Sequence, residues 1–575
     1  MCKTLRAAGA VATLDGPDGP VVLVDDLKAV THARSVPPPQ PPEEAGTLPL
    51  PLPARDGNAP LDDPDWVSLP GGAYLVPAPG GRMGSPSLGP IVRLLCEQSP
   101  DTGRHPLPSI ADTLLPGGWR LTGGGAPLHK AASDLVDSSE RWARLADRDF
   151  ANSAPYMGTK RALLPFVMTA LERMGEPPTG FVDLMCGSGV VSGAAARQWR
   201  TVSSDSQAFC RALALVQGGG FTRDRAADTL RRLHEPMSNN LSSLTRLVED
   251  LLSEEADLLT AAADWSVLAP RYADFVASTP GYPSGGRSGK WDPAKEVALR
   301  QVATGNGAAP YCLFTAYFAN IYFGVRQAVE LDCLRYAIDE LADPSERDWA
   351  LGALVVTASS VATTYGGHFA QPPAPPERLV HPGVARRVLA RRHVSATREF
   401  EIRLLSLSAE SEEIPNAIEC VPGPWESALD AAARVLEPSQ SVVYVDAPYR
   451  REEYSRYYHV LETLVSYTYP SADTSARVPK KGRERFSSEF FTRSRSSMTD
   501  ALSTTIRSVL DAGFKCAWSY ADRADADPLA VLEAVSSSCR RARSVATDHE
   551  FKRQGKSRGP GRVREFLFLL DPTVS

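Results

Sequence analysis

The chain has 575 residues, of which 43% are hydrophobic and 23% charged, with 62 Lys and Arg against 68 Asp and Glu. That size allows about three or four domains, and the balance of apolar and charged residues excludes a wholly disordered or fibrous chain. No apolar run approaches the roughly 18–20 residues that a membrane helix needs, so no membrane partner is expected.

In chain order, residues 1–150 read as a Pro-rich, poorly ordered leader. Pro37, Pro38, Pro39, Pro41, Pro42, Pro49, Pro51 and Pro53 fall in a stretch without periodicity, a composition that favours extended segments over a packed core. Its first 30 residues carry Asp15, Asp18, Asp25 and Asp26 and do not read as a secretory signal. Two short apolar runs, 21–24 and 91–95, could form small elements.

Regular structure is predicted from about 150. A helix opens near Pro165. The apolar run from Phe181 ends in Cys186-Gly187-Ser188-Gly189, a helix pattern continues to Trp199, and Thr201 to Asp205 reads as the next strand. Strand, Gly-rich turn, helix and strand make a βαβ unit. Residues 225–345 are mostly helical by pattern, with a Gly/Pro/Ser loop at 279–290. Another helix fills 346–363. The strand pattern resumes at Ser441–Tyr444 and recurs at 515–520, 543–547 and 565–570. The expected division is therefore a leader (1–150), a first sheet segment (151–224), a helical insertion (225–440) and a second sheet segment (441–575).

Charge and cysteines qualify this outline. Residues 477–495 and 540–564 concentrate Lys and Arg in an otherwise near-neutral body. Local field matters more than overall charge, so either segment could meet a polyanion or simply be solvated. The nine cysteines are scattered and form no C-x-x-C pair. They read as buried reduced thiols in a cytoplasmic protein, not as a disulfide scaffold or a zinc site.

Three constellations could carry chemistry. Asp183-Leu-Met-Cys-Gly187-Ser-Gly189 places a glycine turn at the carboxyl end of a first strand, where backbone can approach a ligand closely. Asp205, at the end of the second strand, suits ribose hydroxyls. The full G-x-G-x-x-G spacing is absent, because Ser192 stands three after Gly189. An ordinary tight turn would leave the same string. Val442-Val443-Tyr444-Val445 delivers Asp446-Ala447-Pro448-Tyr449 to the sheet edge. A carboxylate, a Pro-fixed turn and an aromatic ring suit a flipped base, although a strand end with a capping Asp is also compatible. Tyr156-Met-Gly-Thr-Lys160, ahead of a helix, could clamp a charged cofactor or serve as a helix entry.

In order and spacing these residues resemble the DNA adenine methylases of the Dam-like class, over about residues 153–571. Phe323-Gly-Val-Arg326, Gly367-His368-Phe369-Ala370-Gln371, Tyr454 to Thr463 and Arg485-Phe486-Ser487-Ser488 resemble one branch of that family. The resemblance implies a Rossmann-like class I sheet whose last strand is antiparallel to the rest, with the helical insertion reading the DNA. It implies methyl transfer from S-adenosylmethionine to the N6 amine of adenine in double-stranded DNA by base flipping, without a metal. Carried over by position, Tyr156, Lys160, Asp183, Gly187, Gly189 and Asp205 would hold the cofactor, and Asp446 would contribute there too. Asp446, Pro448 and Tyr449 would form the catalytic group, with the carbonyl of residue 447 sharing the amine. Restriction–modification with a partner nuclease, or another defence system, is one biological setting such an activity would fit. The sequence departs from the family pattern at Ala447, where a first Pro is usual, at Met185-Cys186 and at Ser204. Ala447 motivates the rival reading, a DNA-binding subunit that no longer catalyses; N4-cytosine or RNA methylation is a further alternative.

Among side chains near these motifs, His459 and Glu462 sit three apart on one helix face and read as packing and capping or as groove-lining residues. His368 could reach the base pocket. Arg326 fits a buried ion pair with Asp332 or a phosphate contact. Lys552 to Arg564 reads as a basic loop between the last two strands.

Overall fold

A computed structural model of the protein describes residues 11–16, 19–24, 67–69, 73–77, 113–115, 119–123, 137–138, 140–146, 154–172, 174, 177–261, 264–278, 310–364, 367–370, 375–448, 454–468, 488–492, 494–521, 524–552 and 560–573. Its framework is a seven-stranded sheet built from β1 (Gly180–Asp183), β2 (Arg200–Ser204), β3 (Ile418–Val421), β4 (Ser441–Val445), β5 (Lys515–Ala521), β6 (Cys539–Lys552) and β7 (Pro560–Pro572). The spatial order is β3-β2-β1-β4-β5-β7-β6. The four pairings from β3 across to β5 are parallel. β7 runs antiparallel to both of its neighbours.

The central strands β1 and β4 are buried along their whole length because helices cover both faces. Successive side chains alternate between two layers. Val182, Val443, Trp518 and Phe568 pack with the helices α12 (Trp425–Val435), α15 (Arg495–Asp511) and α16 (Pro528–Ala534). Phe181, Val442, Tyr444, Ala517 and Leu567 pack with α1 (Leu164–Glu172) and α2 (Val190–Ala195). Pro165 sits in the first turn of α1, where its missing N–H costs nothing.

A helical body follows α3 (Ala208–Leu215). It comprises α4 (Arg223–Thr260), α5 (Trp265–Ser278), α6 (Leu313–Tyr317), α7 (Val325–Asp339), α8 (Pro344–Val361), α9 (Pro376–Leu379), α10 (Pro382–Arg392) and α11 (Ala396–Ser411). Its core is continuous with α3 and with α14 (His459–Ser466), which follows the single turn α13 (Tyr454–Tyr457). Side-chain caps mark several starts, as Thr222 accepts from the Arg225 amide and Asp343 from those of Ser345 and Glu346.

The structure differs from the sequence expectation in three places. The sheet resumes at Ile418, not at 441, so the helical insertion ends earlier than expected. β3 is a four-residue edge strand with a single partner, too short to show alternation. Within 1–150, Val11–Gly16 pairs with Gly19–Val24, and Val67–Leu69, Ala73–Pro77, Thr113–Leu115 and Trp119–Gly123 form a four-stranded antiparallel sheet. The run at 21–24 thus lies in a strand, and the run at 91–95 lies outside the described residues. The expected loop from Lys552 to Arg564 is shorter, because β6 continues to Lys552 and β7 begins at Pro560. Among the described residues no helix is long and apolar enough to cross a membrane.

Candidate active site at the carboxyl edge of the sheet

The strand order reverses between β1 and β4, and in open α/β sheets ligands bind in the crevice beyond the carboxyl ends of strands at such a point. A cleft of about 390 Å³ opens there. It is lined by Tyr156, Lys160, Asp183, Gly187, Asp205, Asp446 and Pro448, so the fold gathers residues from three distant parts of the chain. Gly189 is not in the lining. Tyr449 lies outside the described residues, as do Gln371 and residues 485–487.

The first wall is the loop after β1. Gly187 has φ +50° and Gly189 φ +75°, both left-handed. A Cβ on Gly187 would meet the Tyr156 ring at 2.9 Å, and one on Gly189 would lie 2.6 Å from the Ala214 Cα. Gly187 therefore admits an aromatic ring against bare backbone. Gly189 lets α2 start against α3, which is a packing role. Asp183 is buried. Its Oδ2 accepts from the Ser192 hydroxyl at 2.7 Å, while Oδ1 is buried with no hydrogen-bond donor among the described residues. Burial, partly offset by the Ser192 bond, pushes its carboxyl up to about 7.

The second wall holds Asp205, one residue beyond β2. It accepts from the Gly187 amide (3.0 Å) and the Gln207 amide (2.9 Å), so it ties the glycine loop to the start of α3. Burial raises its carboxyl, and these two amides oppose the rise. Tyr156 forms a third side. It stacks on Tyr458 at 4.9 Å and on Tyr454 at 5.7 Å, and the Tyr458 hydroxyl accepts from the Met157 amide.

At the end of β4 stands Asp446. The buried ammonium of Lys160 lies 2.9 Å from its Oδ1 and 3.4 Å from Oε1 of Glu565, a buried acid on β7. Burial alone would lower the Lys160 pKa, but the two carboxylates outweigh it and hold the group above its ordinary value. The Ser519 hydroxyl donates to the same Glu565 oxygen at 2.9 Å. Ala447 is buried beside them. Across the mouth, the Trp425 indole donates to Glu489.

Other residues singled out by sequence are placed elsewhere. Glu462 accepts from the Ala208 and Phe209 amides and caps α3. His459 is buried against Phe318 and Tyr322. His368 packs edge-on to Tyr457 and is not in the cleft lining. Arg326 pairs with Glu330 at 3.7 Å, not with Asp332, and its guanidinium donates to the carbonyls of Arg392 and His393, while Asp332 accepts from Phe314, Thr315 and Tyr467. The described cysteines are free, and all but the half-buried Cys420 are buried.

Two features were missed from sequence. Glu565 stood in an apolar strand, and an acid inside such a run was the available signal. Residues 378–398 hold six Arg and two His without an acid. In the structure Arg386, Arg387 and Arg391 share the exposed face of α10. No protein-family model matches the chain, and no curated protein gives a significant sequence match.

Proposed function

We propose that the chain is an S-adenosylmethionine-dependent methyltransferase that modifies the N6 amine of adenine in DNA. The observation that carries this reading is the cleft at the β1/β4 reversal, with a glycine loop and ribose-type acid on one wall and Asp446-Ala447-Pro448 on the other. The antiparallel β7 agrees with the class I sheet that the motif resemblance implies.

The residues present fit the cofactor. The cleft volume falls within the roughly 300–1,000 Å³ of small-molecule sites. Asp205 keeps acceptor capacity beyond its two amide bonds, as a carboxylate has about four lone-pair sites. Asp183 Oδ1 is a buried acceptor that an ammonium group would satisfy. Gly187 leaves room beside Tyr156 where any side chain would intrude. Bound there, S-adenosylmethionine supplies a methyl group already activated by its sulfonium, so the protein's task is positioning.

The chain's own groups then act on the amine. Asp446 accepts one N–H, and the carbonyl of Ala447 accepts the other. Pro448 biases residue 447 toward extended backbone, so an alanine there keeps that carbonyl in the conformation a proline would give. Holding both protons directs the nitrogen lone pair away from the ring and toward the methyl donor. Cleft walls of Tyr156, Tyr454 and Pro448 exclude water. The arginine face of α10 supplies charge for a phosphate backbone.

The test is transfer of a tritiated methyl group to unmethylated genomic DNA, followed by digestion to nucleosides. Label is expected in N6-methyldeoxyadenosine. With Asp446→Ala it falls by at least about 100-fold, the scale of losing one aligned transition-state hydrogen bond. Absence of label from a chain that binds both cofactor and DNA overturns the reading. Label in N4-methylcytosine moves the reaction to a different base.

A further inference from the structure

The charged group beneath the cleft is larger than the proposed reaction explains. Lys160, Asp446 and Glu565 meet within 2.9 and 3.4 Å, and Lys160 and Glu565 are buried. Removing charges from water costs several kcal/mol per ion, so a buried ion cluster is weak evidence for stability.

The geometry points to another role. The Glu565 main chain is fixed by strand pairing on both sides, opposite Ala521 of β5 and Thr547 of β6. Its side chain is pinned by the Ser519 hydroxyl, itself on β5. A lysine ammonium, by contrast, is a mobile point charge on a four-carbon stem. We propose that Glu565 is a positioning residue: it is a second anchor for the Lys160 ammonium beside Asp446, and Lys160 in turn fixes the orientation of the Asp446 carboxylate toward the cleft. The proposal rests on the methyltransferase reading, and it adds Lys160 and the Ser519–Glu565 pair to the amine-holding apparatus. β7 thereby serves the site as well as joining β5 to β6.

A double-mutant cycle on the full-length chain tests this. Methyl transfer to DNA is followed for wild type, Glu565→Gln, Lys160→Met and the double variant, with cofactor affinity by calorimetry and melting temperature alongside. Glu565→Gln is expected to lower kcat by on the order of 10- to 100-fold, the scale of a small misplacement at a reacting centre. KM for DNA and cofactor affinity should stay within about threefold, a margin set by the ordinary additivity error of such measurements. In the Lys160→Met background the same change should cost nothing further, because Glu565 acts only through Lys160. Ser519→Ala, a milder change, should lower kcat less and be silent in that background too, which keeps the test open if Glu565→Gln folds poorly. Losses that multiply in the double variants overturn the proposal. So does a Glu565→Gln chain with unchanged kcat. A wild-type chain without transfer activity overturns the methyltransferase reading itself, and the proposal with it.

Discussion

The helical body and the cleft both bury charged side chains, yet they use them in opposite ways. In the helical body several charged side chains close helix ends. Glu255 accepts the Val325 and Arg326 amides at the start of α7. Asp332 accepts four donors, two of them the Phe314 and Thr315 amides at the start of α6. Arg326 and Gln327 take carbonyls at the end of α10, and Arg335 takes those of Leu464 and Val465 at the end of α14. Carboxylates stand at amino ends and cations at carboxyl ends, as unsatisfied backbone groups and the helix dipole require. In the cleft, Asp183 keeps an oxygen without a donor among the described residues, and Lys160 is shared between two acids. A buried carboxylate with both oxygens filled, as at Glu255 and Asp332, is architecture. A buried carboxylate with an oxygen left over, at a strand-order reversal, is where a ligand is expected.

The sharpest way to break that contrast is to remove one charge from each region. Asp332→Ala strands two amides, the Thr315 hydroxyl and the Tyr467 hydroxyl in the core. It should cost about 3–5 kcal/mol, read as a shift in urea midpoint. A loss below 1 kcal/mol would mean that the capping network is dispensable. Asp183→Asn should behave differently. The folded carboxyl, at about 7, lies above the ordinary value of 3.8. Between these pH values the folded chain holds a proton that the unfolded chain has released, so wild-type stability falls as pH rises from about 4 through 7. The asparagine has no such proton. The wild-type chain should therefore lose on the order of 2–4 kcal/mol relative to the variant between pH 4 and 8. Parallel pH curves for the two proteins would show that Asp183 is as well satisfied as a capping acid. The variant should also lose cofactor affinity, which Asp332 would affect only through folding.

These two regions were unequally legible in the sequence. The cleft could be read because its parts are local: a strand, a glycine turn and an acid just beyond the next strand, then a second strand ending in Asp446. Those are statements about a few consecutive residues. The helical body's caps join residues far apart in sequence, as with Glu255 and Val325, and no local pattern pairs them. The same limit hid Glu565, whose partner Lys160 lies in the first sheet segment, and it misassigned Arg326 to Asp332. Arg326 does have an acid on its own helix, Glu330 at 3.7 Å, and its guanidinium also reaches the end of another helix. Gly189 was read as a ligand contact because it completes the turn motif. The neighbour that requires it is the Ala214 backbone, which the sequence does not bring near.

That reassignment sharpens the comparison at smaller scale. Gly189→Ala combines φ +75° with a Cβ 2.6 Å from backbone that cannot rotate away. It should cost roughly 1–3 kcal/mol of stability. Gly187→Ala meets the edge of a tyrosine ring, which can shift. Its larger effect should fall on cofactor affinity measured by calorimetry. Equal stability losses at both positions, with affinity intact, would move Gly187 from the cleft to the architecture.

The smallest expected effect concerns charge that is neither capped nor in the cleft. Arg392 of α10 is buried and donates to the Tyr322 carbonyl, in keeping with the helical body. Arg387, on the same helix, is exposed. If α10 contacts a phosphate backbone, Arg387→Ala should weaken DNA binding by about 1 kcal/mol or less. It should also reduce the slope of log affinity against log salt by about one, equally for all DNA sequences. Cofactor affinity and melting temperature should not move, since the side chain is exposed. An unchanged slope would make this face ordinary solvated surface, and DNA would then have to be held by other basic residues of the chain.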